Sequence, residues 1–195
     1  MTPNPPASFF NGAFPHDWQA QILAARPLIL PTRHFVYPGQ AEEVERGALE
    51  VLVRPGASQS SLSGQEFLAT CALGFRDSAV PTGLWSCPNP EEICAVSGGY
   101  AYIISTANPE HFTMISYRPV LDVQPALEHN LLLFVSHHSV LAWGPEGQAW
   151  HSEKLSSEGL TLEEVNGPVL HGLGWDLMTD KEIPFAIDLR TGIRI

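Results

Sequence analysis

Hydrophobic residues in this chain fall in short runs separated by small, polar or Gly/Pro-containing breaks. The clearest case is the stretch 131–150, LLLFVSHHSVLAWGPEGQAW. Residues 131–135 are one apolar run and 139–143 a second; Gly144 to Gly147 (GPEG) then turns the chain into a third, 148–152. Short β-rich runs bounded by turn formers predict an antiparallel meander. The same form occurs at 93–98 (ICAVSG), 100–105 (YAYIIS) and the turn Asn108-Pro109-Glu110, with Gly98-Gly99 as a hairpin turn that needs positive φ. It occurs again at 169–174 (VLHGLG), 184–189 (PFAIDL) and the turn Arg190-Thr191-Gly192.

The N-terminal third patterns differently. Trp18, Ile22 and Ala25 stand at helical spacing, which predicts one short helix over 15–25, stopped by Arg26-Pro27. Residues 28–37 (LILPTRHFVY) are extended and apolar but carry Pro31, so they predict an edge strand or a bulged one. Residues 47–54 and 66–75 predict a hairpin with a Ser- and Gly-rich tip at 55–65. Pro81, Gly83, Pro88 and Pro90 predict an irregular crossing over 75–90.

Ile93, Leu131 and Val169 are each 38 residues apart, close to the length of a four-stranded propeller blade, and residues 47–195 hold about four such units. The fold expected is therefore all-β, with antiparallel meanders in about four propeller-like repeats of ~38 residues; a two-sheet β-sandwich is the alternative. Residues 1–14, rich in Pro, Asn and Ala, read as a flexible arm, and 15–195 as a single domain. The third copy carries an apparent insertion at 176–183 (DLMTDKEI) and ends short of a full blade. Residues 28–37 are the apolar run available to cover the edge this leaves, since open edges template aggregation.

The segment Val96-Ser97-Gly98-Gly99-Tyr100-Ala101-Tyr102-Ile103, followed by Asn108-Pro109, resembles the strand-turn-strand of bacterial β-propeller repeats. Val140-Leu141-Ala142-Trp143 with Gly144 to Gly147 and Trp150 is similar to a blade's second hairpin. The resemblance spans residues 93–192, without the Gly-His to Trp-Asp spacing of WD repeats. It implies a scaffold for binding, and it transfers no catalytic residue.

Composition narrows the function classes. A net charge of −11, with ten Lys and Arg scattered along the chain, argues against nucleic acid and anionic membrane. Cys71, Cys87 and Cys94 make no even disulfide framework and no zinc spacing, although Cys87 and Cys94 could bridge a loop. The first residues lack the basic and apolar regions of a secretory signal, and no run reaches the length of a membrane span, so the cytoplasm is the expected compartment.

Candidate chemistry centres on His137-His138, in the turn between two apolar runs, with His171 and Asp176 on the next repeat. Histidine and carboxylate can share a metal, but each group also has a structural reading, in which His138 bonds a turn carbonyl and His137 is solvated. Trp85 and Trp175 are the aromatic residues best placed to line a pocket for a carbohydrate or peptide; otherwise they fill space between sheets. No GxSxG elbow, phosphate-cradling loop or activated thiol is present, so no catalytic residue, metal ligand or cofactor is assigned. The expectation is a non-enzymatic binding or protein-interaction module for a protein or small ligand, with Trp85, His137, His138, His171, Trp175 and Asp176 as candidate binding residues. The alternative is a metal-dependent hydrolase using the His/Asp cluster.

Overall fold

The computed structural model describes residues 9–39, 47–56 and 65–195. Among the described residues it is all-β, with sixteen strands in four sheets; its one helical piece is a 3-10 turn, Leu127–His129. None of the four sheets closes on itself, and no helix among the described residues is long and apolar enough to cross a membrane. Contacts divide the chain into two compact units, Met1–Pro119 and Val120–Ile195.

The first unit holds β1 (Phe9–Asn11), β2 (Gln19–Leu23), β3 (His34–Tyr37), β4 (Ala48–Arg54), β5 (Phe67–Ala72), β6 (Gly83–Ser86), β7 (Glu92–Ser97), β8 (Tyr100–Ser105) and β9 (Phe112–Met114). One sheet runs β2-β4-β5-β3 and the other β1-β6-β7-β8-β9. Two-residue alternation selects the inner face. Leu49, Val51 and Val53 on β4 meet Phe67, Ala69 and Cys71 on β5, and the other sheet adds Leu84, Ile93, Ala95, Tyr102 and Ile104 to the same buried cluster. Gly98 and Gly99 have φ of 57° and 74°, the positive values that the two-residue β7–β8 turn requires.

The second unit holds β10 (Asp122–Ala126), β11 (Leu131–Val135), β12 (Val140–Gly144), β13 (Gly147–His151), β14 (Leu160–Asn166), β15 (Val169–Asp176) and β16 (Lys181–Asp188). They form a β10-β11-β12-β13 meander and a β14-β15-β16 meander. Leu131, Leu133, Val140, Ala142 and Trp150 from the first pack with Leu170, Phe185, Ile187 and Leu189 of the second. Beyond Gly192 a single antiparallel bridge, Ile187 to Arg194, brings the last residues alongside β16. The markers Ile93, Leu131 and Val169 fall within the first two residues of β7, β11 and β15, each the second strand of a run of consecutive antiparallel strands. The first sheet breaks that order, because its edge strand β3 is parallel to β5.

Several expectations need correction. The helix expected over 15–25 is absent, and 19–23 is a strand antiparallel to β4. The reason is arithmetic: a spacing of four, as in Trp18 to Ile22, belongs to one helix face and equally to one strand face. The segment 75–90 is not wholly irregular, since it contributes β6, paired with β7. The apparent insertion at 176–183 is absorbed by longer strands, as β15 and β16 pair as far as Asp176 and Lys181. Residues 28–37 do supply an edge strand, but it joins β5 of the first unit rather than the C-terminal repeat. Of the arm expected over 1–14, residues 1–8 lie outside the described residues, while Phe9–Asn11 pairs parallel to β6 and is not free. Most of the hairpin tip expected at 55–65 also lies outside the described residues.

Candidate functional site

The residues singled out from sequence take different roles. Trp85 on β6 is only 2% exposed, with the Phe9 ring edge-on at 4.8 Å, so it fills core rather than lining a pocket. His137 and His138 lie between β11 and β12 with ring centroids 6.1 Å apart. His138 Nδ1 donates to the Ser156 carbonyl oxygen at 3.2 Å, because a carbonyl only accepts. The His138 carbonyl in turn accepts from the Leu155 amide at 2.7 Å. His171 and Trp175 share one face of β15, four residues apart, and Asp176 falls on the other face. The Asp176 carboxylate is committed to its own hairpin, accepting from Thr179 Oγ1 at 2.7 Å and the Met178 amide at 3.3 Å. Those bonds, the Thr179 one first, hold its carboxyl below the usual range. Among the described residues no three His, Cys, Asp or Glu side chains are placed to hold a metal ion.

The segment following β13 brings part of this set together. The Ser152 hydroxyl accepts from the Val140 amide at 3.0 Å, and the Ser157 amide donates to the Trp175 carbonyl at 2.7 Å. Ser156 Oγ hydrogen-bonds toward the Gly159 and Trp175 carbonyls. The segment crosses so close to β15 that a Cβ at Gly174 would lie 2.5 Å from the Leu155 carbonyl oxygen; only glycine fits there. Between segment and sheet is an open cleft of about 390 Å³, whose walls include Lys154, Ser156, Ser157, Gly174, Ile183 and Arg194. Asp176 and Trp175 also border it. Of the six predicted residues, then, Trp175 and Asp176 meet at one cleft, and His138 braces the loop that forms its wall.

A second surface was not read as a binding site from sequence. In the β2–β3 connection Leu28 is fully exposed, Ile29 is 89% exposed and Leu30 is also exposed. The connection is fastened at both ends. Arg26 Nε donates to Glu50 Oε1 at 2.8 Å, and Arg33 Nη1 donates to the Gln65 carbonyl at 2.9 Å while its guanidinium lies over the Phe35 and Phe67 rings. Pro27 and Pro31 restrict φ on either side of the tripeptide. The signal was present in the sequence as the PLILP string, but an apolar run between strands reads first as strand.

Two further clusters were illegible in the sequence. Ser139 Oγ lies 2.9 Å from His151 Nε2, twelve residues on, because β12 and β13 pair antiparallel. Ser136 Oγ, a buried hydroxyl, lies 3.4 Å from Ser139 Oγ within the same turn. In the first unit Glu50 and Thr70 stand directly opposite each other on β4 and β5. Thr70 Oγ1 donates to the buried Glu50 carboxylate, so it accepts from His34 Nε2 at 2.8 Å. This chain of polar groups ties Arg26, β4, β5 and β3 together. The three cysteines are free and buried, and burial holds their thiols above the ordinary range, which disfavours the reactive thiolate.

No protein-family model matches the chain, and comparison with curated proteins finds no significant match.

Proposed function

We propose that the protein is a non-enzymatic protein-interaction module that displays Leu28-Ile29-Leu30 on a rigid β scaffold. The observation that carries this reading is the exposure of three consecutive aliphatic side chains on a connection fastened at both ends. A preorganised apolar protrusion loses little conformational entropy on docking, and apolar side chains with no partner of their own are the anchors that interfaces use. The occupant it suits is a partner protein with an apolar pocket. The scaffold part of the reading is propeller-like. Its support is the recurrence of the 38-residue markers at the second strand of three successive runs of antiparallel strands. The metal-dependent alternative has no supporting arrangement among the described residues.

The test compares immobilised protein with a Leu28→Asp, Ile29→Asp variant in extracts of the source cells. The side chains are exposed, so the variant keeps its melting curve. The expected result is a stoichiometric protein partner retained by the parent and lost from the variant. Identical retained sets would overturn the proposal.

A further inference from the structure

The geometry points to a second binding site in the C-terminal unit: the cleft between the 152–159 segment and β15 takes a small organic carboxylate, held by Lys154, Ser157 and Arg194. This is independent of the Leu28 protrusion, which lies in the other unit.

Acidic residues outnumber Lys and Arg by 21 to 10, so cations have ample choice of partners. Arg26, Arg54 and Arg190 are each in ion pairs, and Arg118 lies over the Tyr100 ring. Lys154 and Arg194, by contrast, line one cleft, and neither has an ion pair among the described residues. Two like charges lining one concavity repel each other, and an anion between them removes that cost. Asp176 lines the same cleft, with its oxygens accepting from Thr179 and Met178 within the β15–β16 turn; against the two cations it leaves one positive charge unmatched, which a single carboxylate neutralises.

Hydrogen-bonding capacity then selects the kind of anion. The Leu155 and Ser156 amides both donate to the His138 carbonyl, and the Ser157 amide donates to the Trp175 carbonyl. The wall therefore offers no spare amide from these three residues, and phosphate sites characteristically use such a nest of backbone N–H groups. The Ser156 hydroxyl is also engaged, with the Gly159 and Trp175 carbonyls. What remains is the Arg194 fork, the Lys154 ammonium and the Ser157 hydroxyl. A planar carboxylate fits a guanidinium fork with two parallel bonds, and the nearby Asp176 charge disfavours a dianion. Leu155 and Ile183 add apolar wall, which suits a short hydrocarbon body behind the carboxylate. A volume of about 390 Å³ lies near the lower end for ligand sites, which limits the ligand to a small one.

The test is an amide-resolved NMR titration of the full chain with sodium butyrate, and separately with sodium phosphate, both at ionic strength matched with sodium chloride. Butyrate is expected to give saturable shifts at residues 154–157, 174, 183 and 194. Arg194→Gln and Lys154→Gln should each weaken binding by about tenfold, as removal of a charge-assisted contact does. Lys181→Gln, an exposed cation on the same hairpin that is not in the cleft wall, should leave it unchanged. Absence of saturable shifts, equal weakening by all three variants, or tighter binding of phosphate than of butyrate would each overturn the assignment.

Discussion

Trp150 Nε1 donates to the Leu189 carbonyl oxygen across 2.6 Å, joining β13 of one sheet to the residue that follows β16 of the other. Gly192, at a φ of 72°, packs against the same indole. One side chain thus stitches together the two meanders of the C-terminal unit by both a hydrogen bond and ring packing.

Replacing Trp150 with Phe keeps most of the apolar contact but leaves the buried carbonyl without its donor. Loss of such a bond costs about 1–3 kcal/mol. Urea titration should show a lower midpoint with an unchanged slope. A midpoint equal to that of the parent would mean that water replaces the indole at no cost.

Leu133 is 1% exposed and packs with Val140, Ala142 and Leu170 in the same cluster. Leu133→Ala should destabilise by about 2–5 kcal/mol through lost contacts and a residual cavity. Leu131, Val140 and Trp143 are buried as well, but Trp143 pairs with Leu132 and so faces the opposite side of its sheet. A double substitution at 133 and 143 should accordingly be closer to additive than one at 133 and 140, a difference that denaturation of the three single and two double variants measures directly.

Thr70→Val removes the hydroxyl that donates to Glu50 and accepts from His34. Glu50 keeps Arg26 but loses its second partner in a buried position, at a cost of about 1–3 kcal/mol. Because His34 lies on edge strand β3, hydrogen exchange of the β3 amides should quicken more than that of β4. Equal protection of both strands in the variant would argue that β3 does not depend on this bond.

The three buried thiols set an alkaline limit. Desolvation raises each above its ordinary value of 9.0, with the Glu50 charge adding to Cys71 and neighbouring Cys and Glu92 charges adding to Cys87 and Cys94. A raised pKa means that the fold retains a proton that the unfolded chain releases. The associated stability is fully present below about pH 9 and falls as pH rises beyond it, by up to ~1.4 kcal/mol per pH unit for each thiol. Denaturation between pH 8 and 11 should show this decline, with a shallower slope in Cys87→Ala. The thiols should also resist an aromatic disulfide reagent until the chain unfolds, and reductant should not move the melting temperature.

Phe14 is buried, and its amide donates to Ser86 Oγ at 2.8 Å, so the chain before β2 is part of the first unit. Phe14→Ala should cost about 3–5 kcal/mol. Deleting residues 1–14 should lower the melting temperature as well, since it removes β1 and its Phe9 contact with Trp85. An unchanged melting curve after the deletion would show that β1 adds nothing to the sheet.

The amino-acid pattern by itself determined the all-β class and the antiparallel neighbours in chain order. β7–β8 and β11–β12–β13 fall where the apolar runs place them, and Gly98-Gly99 takes the positive φ its turn chemistry demands. Such pairs are legible because each strand's partner is the next one along the chain, so the turn and the alternation carry all the information needed. Tertiary structure decided the rest. The parallel pairs β1–β6 and β3–β5 join strands far apart in sequence, with no local signal for the partner. Trp18 and Ile22 fit a helix face and a strand face equally, until pairing with β4 selects the strand. The cleft is assembled from residues 154–157, 174–176, 183 and 194, and only folding brings Lys154 and Arg194, forty residues apart, to one wall. Pattern along a chain reports the facing of each residue; it does not report which distant side chains that facing brings together.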